Sequence, residues 1–267
     1  ARHPLRSSLY YALTFFCVLN LLFPILFGMR NITSLFLSGG IGALFLARFF
    51  DNRLAGLWAH AISAVGSVLG LSIAGAVLFY GQGISFSLPS AFPSLSFMFR
   101  VDGLSAFFLA TISLISLAAS VYGLSYQKHF SGAYSLGAFG FFYSAFIGSL
   151  MLVTMADHAL FFLLVWEIMS IASYFLVVFE HHERENVRAG FLYLLMTHFG
   201  TAFVMLAFFL AYKATGEWSF DAWRAAAGTI APALQAGIFL SALIGFGTKA
   251  GIIPLHIWLP EAHPAAA

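Results

Sequence analysis

Two ionisable side chains lie where their neighbours are almost all apolar. Glu167 sits inside the run 160–174, Leu-Phe-Phe-Leu-Leu-Val-Trp-Glu-Ile-Met-Ser-Ile-Ala-Ser-Tyr. Lys249 sits inside 243–254, Leu-Ile-Gly-Phe-Gly-Thr-Lys-Ala-Gly-Ile-Ile-Pro. An ionised group at mid-membrane costs about 2.5–3.5 kcal/mol on insertion scales, so it persists only where it faces a partner, water or the bundle interior. Two readings follow. A Glu–Lys pair holds two helices together, or each group binds and releases a proton under the influence of its neighbour's charge.

The surroundings of Lys249 bear on that choice. Gly245, Gly247 and Gly251 flank it, and Pro254 follows. A proline there removes the backbone bond to position 250 and crowds that turn, so the helix is expected to break around Gly251 and Pro254. Broken helices beside an ionisable residue recur at transport sites, because exposed backbone is tolerated where protein or water satisfies it. A kink made for packing alone is the alternative. His198, inside the apolar run 189–212, has the ionisation range of a proton relay or serves as an interhelical contact. His256 and His263 flank the broken end and are candidates to extend a path. The run 180–185, Glu-His-His-Glu-Arg-Glu, has metal-ligand residue types but falls in a polar connection and reads as a solvated charge run.

These groups need elements to hold them in an apolar medium. Of the 267 residues 61% are hydrophobic and 8% charged, against about 25% charged in soluble domains. Too little charge exists to cover a water-facing surface. The single cysteine, Cys17, excludes an intrachain disulfide and any multi-cysteine metal site. A net charge of +2 gives no case for nucleic acid. A spanning helix needs about 20 mainly apolar residues. Eight stretches qualify, at 9–28, 32–50, 57–81, 102–126, 134–156, 159–179, 189–212 and 231–253. The fold class expected is an all-α polytopic transmembrane bundle with one Pro/Gly-broken helix. The connection 82–100 is rich in Ser, Pro and Gly, and 214–230 has the look of an amphipathic interfacial segment. Arg2, Arg6, Arg48, Arg53, Lys128, Arg184 and Arg188 fall on one side of the membrane and Arg30, Arg100, Lys213 and Arg224 on the other. That bias places the N-terminus in the cytoplasm; the membrane expected is the cytoplasmic (inner) one.

Three motifs occur in order: 100–105, Arg-Val-Asp-Gly-Leu-Ser; 166–174, Trp-Glu-Ile-Met-Ser-Ile-Ala-Ser-Tyr; and 249–264, Lys-Ala-Gly-Ile-Ile-Pro-Leu-His-Ile-Trp-Leu-Pro-Glu-Ala-His-Pro. On these the chain resembles the antiporter-like subunits of respiratory complex I, Mrp-type cation/proton antiporters and membrane-bound hydrogenases, with an ending closest to hydrogenase-4 and formate hydrogenlyase subunits. The resemblance implies accessory helices over 1–94 and a first antiporter-like repeat over 95–267, with an extra helix at the N-terminus. It also implies a proton pathway carrying Glu167 on one helix and Lys249 on a broken one. The implied function is proton translocation by a non-catalytic subunit of a redox-driven complex, binding no flavin, metal or quinone itself. Its partners would be other membrane subunits and a peripheral redox arm. A cation/proton antiporter subunit without a redox partner is the alternative, and a membrane anchor with a structural ion pair the third. Many members of the family carry a second lysine one helix earlier, where this sequence has Leu192, which leaves His198 as the nearest ionisable group. The chain also stops before most of the proton-path residues of the family's second repeat and is expected to be either a natural fragment or a truncated form.

Overall fold

The computed structural model describes residues 30–88, 90, 92, 94–130 and 132–266. The expected first span at 9–28 and Cys17 lie outside the described residues. The elements are α1 (Arg30–Phe49), α2 (Asn52–Tyr80), β1 (Ile84–Leu88), β2 (Phe97–Val101), α3 (Gly103–Tyr126), α4 (Leu136–Met155), α5 (Ala159–Val177), α6 (Arg184–Thr215), α7 (Phe220–Ala226), α8 (Pro232–Ala250) and α9 (Leu259–Ala265). The chain is a polytopic all-α transmembrane bundle. Among the described residues six helices, α2, α3, α4, α5, α6 and α8, are long and apolar enough to cross a membrane; α1 holds a shorter apolar stretch, Ser34–Phe49.

Among the described residues, 30–75 and 110–148 form one compact unit, and 76–109 and 149–266 form a second. In the first, small side chains set the helix spacing: Ala43, Ala55 and Ala59 are fully buried, with Leu46, Ala47 and Trp58 packed against them. Asn52, at the start of α2, donates to the Tyr134 carbonyl at 3.0 Å and accepts from the Gly137 amide at 3.2 Å.

In the second unit, the connection rich in Ser, Pro and Gly contains an antiparallel hairpin pairing Ile84 with Val101 and Phe86 with Phe99. The two phenylalanine rings stack at 4.4 Å. Strand β2 continues onto the turn before α5, where the Asp157 amide donates to the Met98 carbonyl at 2.9 Å. The expected interfacial segment holds α7, capped by Ser219, whose hydroxyl accepts from the Asp221 amide at 3.2 Å. Four charges join these pieces. Arg100 pairs with Asp157 at 2.9 Å and with Asp221, and Arg224 reaches Asp221 at 2.6 Å and Asp157 at 3.6 Å. Hydrogen bonds from Arg224 and Arg100 hold the Asp221 carboxyl below the usual range. Burial pushes Asp157 up against the pull of Arg100.

Helix α6 ends on Gly216, whose positive φ of 75° suits a residue without Cβ. Helices α6 and α8 lie so close that a Cβ on Gly245 would stand 2.8 Å from the Gly200 carbonyl oxygen. This contact brings the two helices that carry His198 and Lys249 into register.

Candidate functional site

Helix α8 begins on Pro232, whose missing N–H is no loss at a first helical position. It stops at Ala250, with Gly251 in the left-handed region at φ 76°. The Gly251 amide donates to the Thr248 carbonyl at 3.3 Å and the Ile252 amide to the Gly247 carbonyl at 2.9 Å. That pair of bonds is a Schellman closure. The break therefore comes three residues before Pro254 and is made by the glycine; the proline, after a cis Ile253–Pro254 bond, lies in the turn that follows. Trp258 reaches back to donate to the Thr248 carbonyl at 2.8 Å. Lys249 thus occupies the last turn of α8, where unpaired carbonyls favour a cation.

The Lys249 ammonium donates to the Tyr193 hydroxyl at 2.8 Å and to Ser170 Oγ at 3.3 Å. It also stands 5.1 Å from the Tyr193 ring centroid and 5.8 Å from that of Trp166. Ser170, Tyr193 and Trp166 are all buried. Tyr193 is fixed by the edge of Trp258, 5.1 Å between centroids, and Trp166 donates to Thr201 Oγ1 at 3.1 Å.

The direction of the bonds beyond Lys249 follows from their acceptors. Ser173 Oγ donates to the Met169 and Ser170 carbonyls at 2.8 and 2.9 Å. Its one proton is therefore committed, so in the 2.5 Å contact with Tyr193 the tyrosine donates. Tyr193 oxygen is then left to accept from Lys249. Every proton along this leg points away from the ammonium and ends on backbone carbonyls.

Glu167 does not meet Lys249. Its partner is His198, Nε2 to Oε2 at 3.6 Å. Its other oxygen, Oε1, is buried without a hydrogen-bond partner. The direct Glu–Lys pair expected from sequence is absent because Glu167 faces α6 at His198, whereas Ser170, one turn on along α5, is the residue that faces Lys249. His198 Nδ1 lies 2.9 Å from the Leu194 carbonyl, which only accepts, so Nδ1 carries the proton and Nε2 is the basic nitrogen facing Glu167.

Of the remaining candidates, His256 lies in the turn after the break with a buried, unpartnered Nδ1. His263, exposed on α9, meets the Trp258 ring at 6.0 Å between centroids. Neither contacts Lys249 or Glu167. Leu192 packs against the cluster of Val177, Ala189, Tyr193, Trp258, Ala262 and Ala265. Its position is apolar, and the next residue, Tyr193, supplies the polar contact. Sequence reasoning missed Tyr193, Ser170, Ser173 and Trp258. Three faint signals existed: Ser170 follows Glu167 by three residues, Ser173 follows Ser170 by three, and Tyr193 adjoins Leu192. Among the described residues no three of His, Cys, Asp or Glu are placed to hold a metal ion.

A multi-span helical bundle with a lysine seated at a helix break among buried hydroxyls defines a polytopic membrane protein with a buried charged site. Residues 156–267, which contain the whole site, match the family described as NADH:quinone oxidoreductase/Mrp antiporter, transmembrane. Hydrogenase-4 component B of Escherichia coli K12 is 35% identical over 232 residues, which cover 87% of this chain and 34% of that protein. A putative antiporter subunit, mnhA2, of Staphylococcus saprophyticus is 31% identical over 170 residues, 62% of this chain and 21% of that protein. The chain thus spans about a third or less of the length of these relatives. In fold it is similar to a chain in the structure of the membrane-bound sulfane sulfur reductase, an archaeal respiratory membrane complex. The TM-score is 0.77 at 17% identity, over 89% of this chain and 47% of that one.

Proposed function

We propose that this chain is part of a proton-translocating membrane subunit of a redox-driven complex, of the membrane-bound hydrogenase or NADH:quinone oxidoreductase type, with Lys249 as its proton-carrying group. The observation that carries the reading is the seat of the ammonium at a helix break, held by two buried hydroxyls within the segment that the family covers.

The Tyr193–Ser173 leg steadies the ammonium but offers no exit, since its last acceptors are carbonyls that cannot pass a proton on. Release therefore runs on the side of Ser170 and Glu167. A proton arriving on His198 Nε2 pairs with Glu167 and withdraws that negative charge from the neighbourhood of Lys249. A neutral His198 leaves the carboxylate free to favour the protonated lysine. Electron transfer in partner subunits would drive this exchange; moving one charge against 100 mV costs about 2.3 kcal/mol. His256 and His263 extend the path beyond Gly251 and Pro254. In this reading 1–94 are accessory helices and 95–267 the first repeat, the N-terminus lies in the cytoplasm, and the complex stands in the cytoplasmic membrane. Its partners are further membrane subunits and a peripheral redox arm.

The test is Lys249→Met and Lys249→Ala in the full-length protein, within its complex, in inverted vesicles. Reductant-driven proton uptake is expected to fall to background while electron transfer continues. Uptake at the unaltered rate would remove Lys249 from the pathway. The similarity to an antiporter subunit favours one second reading, cation/proton exchange without a redox partner. Proton movement driven by a cation gradient, with no reductant, distinguishes it.

A further inference from the structure

The first compact unit contains a line of buried polar side chains that the Lys249 site does not use. On α3, Ser113, Ser116 and Ser120 recur at intervals that keep one helix face, and Gln127 continues that face just past the helix end. On α2, His60, Ser63 and Ser67 repeat the pattern. Ser144 on α4 completes the set, and all eight are buried, with His60 only 1% exposed. The helices interlock through glycine. A Cβ at Gly123 of α3 would overlap the His60 ring, and a Cβ at Gly56 of α2 would overlap the Gln127 side chain. Each helix therefore seats a polar side chain over a glycine of the other.

Part of the seam is ordinary interhelical adhesion. Ser63 and Ser144 bond at 3.3 Å, and Ser120 and Tyr143 at 2.9 Å. The rest is not. Both ring nitrogens of His60, Ser113 Oγ and Gln127 Oε1 are buried with no hydrogen-bond partner in the protein. His60 rests against the Tyr143 ring at 4.7 Å and the Phe139 ring at 5.9 Å, contacts that leave its nitrogens unused. Buried polar groups in folded proteins are nearly always satisfied, and water is the usual partner where side chains are not. An apolar ring would fill the same space without that cost.

We propose that this seam is a second internal water file, built from side chains other than Glu167 and Lys249, with His60 as its proton-accepting centre and Tyr143 as its titratable neighbour. Water bound at the two imidazole nitrogens, continued past Ser120 and Ser116, joins Gln127 at one end of the face to Ser113, about 15 Å along α3 from Gly123. The three helices then carry a hydrogen-bonded track on which a proton can step through the imidazole.

Two measurements on the full-length protein in its complex decide it. Radiolytic footprinting reads bound water directly: Tyr143 is expected to be labelled several-fold faster, after correction for intrinsic reactivity, than buried Phe36 of the same unit. His60→Phe, which keeps a ring against Tyr143 and Phe139, should bring Tyr143 down to the Phe36 level, and His60→Gln should not. Equal labelling of Tyr143 and Phe36 in the unaltered protein overturns the proposal. In vesicles, both His60→Phe and His60→Gln should lower proton translocation several-fold, since neither side chain passes a proton on. If they leave it unchanged while Lys249→Met abolishes it, the His60 file falls and the Lys249 pathway stands. If Lys249→Met is silent while the His60 variants are slow, the reverse holds. If all three are silent, both fall.

Discussion

Adding one methyl group where α6 and α8 touch should displace the lysine from its seat. A Cβ on Gly245 would lie 2.6 Å from Val204 Cγ2, 2.7 Å from the Val204 nitrogen and 2.8 Å from the Gly200 oxygen. Two of those atoms are backbone, so no side-chain rotation relieves the overlap. Ordinary contact begins at 3.4 Å, and the helices must open by about 0.6 Å to reach it at the Gly200 oxygen. Lys249 lies one turn beyond Gly245 on the same face. The same opening stretches its 2.8 Å bond to Tyr193 to about 3.4 Å, the edge of hydrogen bonding. Gly245→Ala is therefore expected to lose about 1–3 kcal/mol of stability and most of its proton translocation. Gly200→Ala, with nearest atoms at 3.0 and 3.1 Å, should lose less of both. Gly237→Ala, which meets only Leu210 Cδ1 at 3.6 Å, should match the unaltered protein. Thermal unfolding followed by tryptophan fluorescence, alongside vesicle assays, measures the series. Gly245→Ala with unchanged melting and transport, or Gly237→Ala as damaging as Gly245→Ala, would refute the reasoning.

Tyr193→Phe keeps the ring against Trp258 but deletes the hydroxyl, weakening the hold on the ammonium by about 1.5–3 kcal/mol; in a double-mutant cycle with Lys249→Met the stability losses should be far from additive. Trp258→Phe removes the 2.8 Å donor to the Thr248 carbonyl, which keeps its bond from Gly251. A loss of about 1 kcal/mol and faster amide exchange over 251–258 are expected. Asp221→Asn tests the four-charge cluster by pH. Because bonds from Arg224 and Arg100 depress the Asp221 carboxyl, its contribution is full above the ordinary aspartate value of about 3.9 and is lost as pH falls through the depressed one. The variant should melt below the unaltered protein at neutral pH, with the difference closing in strong acid.

The spans were legible because an apolar run of helical length has few other uses. The stretches expected at 57–81, 102–126, 134–156, 159–179, 189–212 and 231–253 each hold a helix long and apolar enough to cross a membrane, whereas 32–50 holds only the shorter apolar stretch Ser34–Phe49. The hairpin was not legible. Ile84–Leu88 alternates apolar and polar residues, but over five positions and beside Pro89 and Pro93, where a strand and a turn look alike. Glu167 and Lys249 stood out by the cost of their charge. Their partners did not, because serine and tyrosine are common in spanning helices and nothing local says which faces of α5, α6 and α8 meet. The same missing information lay behind the expected Glu–Lys contact. The break was legible as a region rather than a residue: proline is the louder signal, but the left-handed conformation that ends α8 asks for glycine.

The four-charge cluster has a mechanical meaning. It grips the chain just before α5 and, through α7, the link between α6 and α8, where Gln235 also fastens the Ala227 and Ile230 carbonyls at 2.8 and 3.0 Å. These helices are pinned at one end and carry their chemistry at unequal distances from it. Along its helix Glu167 stands about 12 Å from the start of α5, and Lys249 about 26 Å from the start of α8, at 1.5 Å per residue. A tilt of about 5° about the pinned end sweeps Lys249 through about 2 Å, enough to part it from Tyr193 or Ser170, and Glu167 through half as much. The lysine is the tip of a long lever, and a small push anywhere along α8 reaches it amplified.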